Sequence, residues 1–164
     1  MVDVQTISII FAGVSISIAA IYYTLNLRST IKTRQAQLFM NLYGTYMEES
    51  FQIAEVTMLT DWQWNDFEDF WERYGYKNPE NYGKFVKEGT FLEAIGVLVN
   101  RGMIDVTLVD DLMSGSILKW WEKFEPVQLE IRERFNWPQN AEWAEYLYKQ
   151  IKPIAEKQHP ELKT

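Results

Sequence analysis

Cysteine is absent, and histidine occurs once, at His159. The first absence excludes a disulfide framework, a thiolate zinc site and a cysteine nucleophile; the second removes a Ser-His-Asp arrangement from most placements and leaves no histidine-rich metal site. Proline does not occur before Pro79, so nothing in the first half of the chain forces a helix to stop. Basic residues are outnumbered, 16 Lys and Arg against 23 Asp and Glu, giving a formal charge of −7 and a pI near 4.8. Affinity for a phosphate backbone comes largely from Lys and Arg displacing counterions, so nucleic acid is not an expected partner. Glycine-rich phosphate loops, a nucleophile elbow and a dinucleotide fingerprint are also missing. No cofactor, metal or catalytic residue is therefore expected.

Charge is lacking altogether from Val4 to Leu27. A helix over that stretch extends roughly 36 Å at about 1.5 Å per residue, enough to cross the hydrocarbon layer. Ile7, Ile9, Ile10, Phe11, Val14, Ile16, Ile18, Ile21, Leu25 and Leu27 supply the apolar bulk, and Tyr22 with Tyr23 suits an aromatic belt. Ser8, Ser15, Ser17 and Thr24 dilute that hydrophobicity, yet short hydroxyls can be satisfied within a helix. The run is longer than a signal-peptide core and no basic segment precedes it, so a retained anchor is expected over residues 1–27. Arg28, Lys32 and Arg34 crowd its C-terminal side with no acid before Glu48, whereas Asp3 lies on the other. The positive-inside bias then predicts a single-pass protein of the cell membrane, with its C-terminal domain in the cytoplasm. Setting those four charges aside leaves 13 basic and 22 acidic residues, a net of −9, behind a basic collar.

Ser8, Ala12, Ser15, Ala19, Tyr22 and Asn26 fall on one side of this helix at 100° per residue, a candidate face for close packing against another span. Gly13, Ser17, Ala20 and Thr24 form a second small face nearly opposite. Besides the lipid bilayer, other membrane-protein subunits or a second copy of the chain are thus the partners to consider.

With 47% hydrophobic and 15% aromatic residues, the remainder has ample material for a core. An apolar stripe through Ile31, Leu38, Leu42, Tyr46, Phe51 and Ala54 predicts that the first helix continues unbroken beyond the span, with Gly44 its one weak point. A second helix is expected from about Trp64 to Tyr74, capped by Asn65 or Asp66 and closed by Gly75. Asn78-Pro79 starts another that heads for a stop at Gly102, open to division at Gly83, Gly89 or Gly96. Asp105 is placed to cap a short helix ending at Gly115, and Ile117 to Phe135 to form a separate one bent or broken at Pro126. Ala144, Leu147, Tyr148, Ile151 and Ile154 outline the last helix. The fold class expected is all-α: a transmembrane helix continuing into a compact multi-helix bundle over residues 28–164.

Among residues that could do chemistry, Asp61, Asp66, Glu68, Asp69 and Glu72 lack the spacing of a calcium loop and read as a solvated helix face. Glu156 and His159 have the Glu-x-x-His spacing of carboxylate-bridged di-iron bundles but lack the second pair that such a site needs. The Gly102–Leu112 stretch has a helix-turn-helix look, but Asp105, Asp110 and Asp111 would face phosphates. Trp62, Trp64, Trp71 and Trp120 are the candidate docking aromatics, with core packing the competing role. Trp120 and Trp121, being adjacent, cannot enter the same core, so one is expected at a helix interface or exposed.

Tyr22-Tyr23, Leu27-Arg28, Arg34-Gln35, Leu38-Phe39, Gly96-Val97-Leu98-Val99, Gly102-Met103-Ile104-Asp105, Leu108-Val109 and Trp121-Glu122-Lys123 together resemble a prokaryotic family of small single-span membrane proteins known only as a domain of unknown function. The resemblance covers most of the chain and implies architecture without assigning any catalytic residue. Function is accordingly expected to be that of a membrane-anchored accessory subunit or protein-protein interaction module. The alternative is an enzyme or ligand-binding domain using carboxylates and aromatics in an interhelical pocket.

Overall fold

The computed structural model describes residues 3–158 and 160, without the side chains of Thr6 and Ile7. His159, half of the Glu156/His159 pair, lies outside the described residues. The chain is all-α, with six helices and no strand among the described residues: α1 (Val4–Tyr46), α2 (Glu49–Thr60), α3 (Phe67–Tyr74), α4 (Pro79–Asn100), α5 (Val106–Arg134) and α6 (Glu142–Gln158). It divides into two compact units, Met1–Leu38 and Phe39–Thr164.

In the first unit α1 is a helix long and apolar enough to cross a membrane. Over residues 8–27 its side chains are all exposed, Ile9, Phe11 and Ile16 among them. The hydroxyls of Ser8, Ser15, Ser17 and Thr24 each donate to the carbonyl four residues back, at 2.8 to 3.0 Å. This back-bonding consumes the donor that would otherwise need a partner in an apolar medium.

The second unit opens with the last turns of α1. The expected unbroken helix stops at Tyr46, two residues past the weak point Gly44, and restarts after Glu48, whose ψ of 132° is extended. Contacts far along the chain set this break. Tyr46 Oη lies 2.6 Å from Ser116 Oγ, the Gln52 side-chain amide donates to the freed Tyr46 carbonyl at 2.7 Å, and the Tyr46 ring stacks on Phe91. Asp66 caps α3 by accepting from Asp69 N at 2.9 Å, and Asp105 caps α5 through Thr107 N at 2.9 Å. These are the local signals that the sequence displays. Lys123 closes α2 from a distance, its ammonium donating to the Leu59 and Trp62 carbonyls at 2.8 Å each, which satisfies acceptors left over at a helix end.

The break expected in α5 does not occur, nor does the division that the sequence leaves open in α4. α4 runs through Gly83, Gly89 and Gly96, and α5 runs through Gly115 and Pro126. A glycine costs a helix about 1 kcal/mol, less than burial of the side chains that flank these positions returns. Met113, Ile117, Trp120, Trp121, Phe124 and Val127 are all buried along α5. Gly96 has a positive role: a Cβ there would stand 2.1 Å from the Trp143 carbonyl oxygen, so only glycine lets α4 and α6 approach this closely. Gly102 lies at the start of the α4–α5 turn with φ +63°, where other residues are strained. α6 continues through Pro153 to Gln158.

α6 packs on both α4 and α5, while α2 and α3 each touch the same two helices. Between α4 and α5 the core is largely rings: Phe85 stacks near Trp120 at 6.1 Å and meets Phe124 at 5.3 Å. Trp120 and Trp121 diverge as adjacent residues must, but neither is exposed. Trp120 enters the Phe85/Phe124 cluster and Trp121 packs toward Tyr148 of α6. α5 is therefore buried on two sides.

Candidate functional site: an aromatic cleft in the helical bundle

The side chains expected to carry function are scattered. Ser8, Ala12, Ser15, Ala19, Tyr22 and Asn26 are all exposed along α1. Trp62 and Trp120 are 3% and 0% exposed, which removes both from any docking surface. Trp64 is half-buried, stacked near Phe124 with the Lys123 ammonium 5.4 Å from its ring centre. Trp64 lines an opening of about 460 Å³ between the start of α3 and α5, and Trp71 lines a more apolar one of about 560 Å³.

Several of the acidic residues singled out are engaged structurally. Asp66 is a cap, Asp69 pairs with Arg73, and Glu68 pairs with Arg134. Asp110 is buried, so it does not face outward as a helix-turn-helix reading requires. Among the described residues there is no group of three or more His, Cys, Asp or Glu able to hold a metal ion.

The opening beside Trp71 has a volume of about 560 Å³, within the ordinary range for small-molecule sites. Its aromatic walls are Trp71 from α3, Tyr82 and Phe85 from α4, Phe135 at the end of α5, and Trp137 in the loop to α6. Trp71 and Tyr82 are 5.9 Å apart with planes at 74°, forming a corner; Phe135 leans on Trp71 at 5.1 Å. Trp137 and Phe135 are 55% and 50% exposed, so the rim is apolar and reachable. Polar groups are few: Thr90, Glu93, Gln128, Gln139 and Asn140.

Glu93 and Asn140 explain why the loop wall holds its place. One Glu93 oxygen accepts from both Trp143 N and Ala144 N at 2.8 Å. It thereby caps α6 from α4, where the positive end of the helix dipole favours a carboxylate. Burial nevertheless pushes the Glu93 carboxyl above its usual range, the two backbone N–H groups offsetting only part of that effect. The Asn140 amide donates to Gln128 Oε1 at 2.6 Å, and Arg132 Nε donates to the Asn140 carbonyl at 2.7 Å. Arg132 also binds Glu145 at 2.6 Å, so four residues from α5, the loop and α6 fix this edge of the cleft.

A second buried feature lies elsewhere in the bundle. Glu55 of α2 and Glu88 of α4 are both 4% exposed. Burial, and secondarily the neighbouring Glu55, pushes the Glu88 carboxyl up to about 9, so it is neutral at physiological pH.

Residues 7–151 match the model of a family described as Domain of unknown function (DUF4760). The chain belongs to this family. No curated protein and no solved structure matches it. Membership in DUF4760 agrees with the resemblance seen in the sequence and adds no activity to it, so the cleft must be read from its own chemistry. Sequence reasoning singled out Trp71 but missed Glu93, Phe135 and Trp137. The spacing of these residues along the chain gives no sign that they meet.

Proposed function

We propose that this member of DUF4760 is a membrane-anchored binding module. Its N-terminal helix crosses the cell membrane once, and its helical bundle works in the cytoplasm. The single observation that supports the binding reading is the cleft between Trp71, Tyr82, Phe135 and Trp137, open at its rim and built on α3, α4 and α5. A closed apolar bundle would have left this reading without support. The anchor reading is supported by exposed apolar side chains along α1 whose hydroxyls are bonded to its own backbone, and the cytoplasmic side by Arg28, Lys32 and Arg34. Ligand-observed NMR of the full chain in maltoside micelles tests it with a library of small aromatic and amine-bearing compounds. Binders should lose their signal on Val86→Trp, which fills the cleft mouth; binders indifferent to that change, or none at all, contradict the reading.

A second reading, an accessory subunit of a larger membrane assembly, is supported by α2. Phe51 and Met58 of this helix are buried while Ile53 and Val56 are 58% and 56% exposed, so it is apolar on both its inner and outer sides. Gentle detergent extraction followed by cross-linking mass spectrometry tests that role, and recovery only as a free monomer counts against it.

A further inference from the structure

Resting on the binding reading above, we infer that the ligand is a small organic ammonium ion held in the aromatic cleft with Glu93 as its counter-charge. Ring faces carry negative quadrupole potential, and several faces meeting at steep angles surround a cation better than they surround a flat neutral ring. The Trp71 and Tyr82 planes cross at 74°, Phe135 is tilted 38° to Trp71, and Trp137 lines the same cleft at its open rim.

Charge on the lining points the same way. Glu93 is the one ionisable carboxylate among the lining residues, and no Lys or Arg is among them. Arg132, which grips the Asn140 carbonyl and is paired with Glu145, is not part of the wall; its charge reaches Glu93 but is the weakest of the influences on that carboxyl and does not offset its burial. Outside the basic collar and Asp3 the chain has a net formal charge of −9, a field that concentrates cations and depletes anions. Burial raises the Glu93 carboxyl above its usual range, and an ammonium ion in the cleft would supply the opposite charge that favours its ionised form. Anionic and phosphate-bearing ligands find no donor cluster here. The remaining lining amides, Gln128, Gln139 and Asn140, suit a hydroxyl or carbonyl elsewhere on the ligand.

The test compares choline with 3,3-dimethylbutan-1-ol, its uncharged carbon isostere, by isothermal titration calorimetry on the full chain in maltoside micelles. Choline should bind at least tenfold more tightly than the isostere. Glu93→Gln keeps an oxygen to cap α6, so it should leave the melting temperature nearly unchanged while narrowing the choline preference to within about twofold. Trp137→Ala, at an exposed position, should weaken choline about tenfold without unfolding the bundle. Equal binding of the two compounds, or an undiminished preference in Glu93→Gln, overturns the ammonium assignment and leaves the cleft standing as an uncharged-ligand site. Binding of neither compound also overturns the assignment. The wider library above then decides separately whether the cleft binds anything. Repeating the titration in phosphatidylcholine and in phosphatidylglycerol nanodiscs separates two sources of the same chemistry: loss of free-choline binding only in phosphatidylcholine assigns the site to a lipid headgroup, equal binding in both to a free solute.

Discussion

Isoleucine is treated in opposite ways at the two ends of this molecule. Ile9, Ile16 and Ile21 on α1 are 71%, 70% and 61% exposed, whereas Ile95, Ile117 and Ile151 in the bundle are 0 to 1% exposed. Polar groups differ as well. On the N-terminal part of α1 the serine and threonine hydroxyls turn back onto their own helix, whereas in the bundle, beside similar back-bonds at Thr57 and Thr60, Tyr46, Lys123 and Glu93 reach across to other elements. The bundle buries most of its large apolar side chains against one another, while some of its buried polar atoms, Glu88 Oε2 and the Trp120 and Trp121 indole nitrogens among them, have no hydrogen-bond partner. The N-terminal part of α1 bonds its hydroxyls to its own backbone but leaves its apolar side chains exposed, which fits the lipid setting proposed above.

The sharpest way to separate the two regions is to damage one and watch the other. Trp120→Ala removes a fully buried indole from the Phe85/Phe124 cluster and should cost the bundle about 3–5 kcal/mol. Calorimetric melting should record the loss while the protein stays in the membrane fraction. Conversely, Val14→Lys puts a charge at the middle of the uncharged run and should cost about 3 kcal/mol of membrane insertion. The reporter is a shift from pellet to supernatant after ultracentrifugation, with near-ultraviolet circular dichroism of the bundle unchanged.

Glu88 gives the bundle a pH dependence that the span lacks. Its folded carboxyl titrates near 9 and its unfolded one near the ordinary value of 4.5. Between these values the folded state holds a proton that the unfolded state has lost, so this contribution to stability is complete in acid and falls as pH rises. The slope should approach 1.4 kcal/mol per pH unit across that window. Chemical denaturation from pH 5 to 9 should show the decline, and Glu88→Gln should flatten it. A decline of equal steepness in the variant would remove Glu88 as its cause. The smallest expected effect is at α3: Asp66→Ala loses the cap on Asp69 N and should lower stability by about 1 kcal/mol, read as a drop in melting temperature with no change in membrane attachment.

What could be read from the sequence was what depends on neighbours along the chain. Asp66, Asn78 and Asp105 cap the helices that follow because capping involves residues two or three positions on. The uncharged run declared α1 by length alone. The break after Tyr46 was not legible, because Ser116 and Phe91 help to place it from 70 and 45 residues away. Continuity of α5 through Gly115 and Pro126 was equally hidden, since local propensity argues against it and burial on two sides decides it. The cleft drew on both kinds of information. Trp71 stood out in an aromatic-rich segment, but Glu93 looks like any surface acid until α6 is seen to begin on its carboxylate.

The claim on which the comparison turns is that α1 lies in lipid while the bundle lies on the far, cytoplasmic side. The natural absence of cysteine makes it directly measurable. Single cysteines at Asp3 and at exposed Lys149 can be treated with an impermeant maleimide in intact cells. Reaction of Asp3→Cys at once and of Lys149→Cys only after permeabilisation, with both variants retained in the pellet at alkaline pH, is the predicted result. Labelling of neither before permeabilisation, with the protein released by alkali, would contradict it.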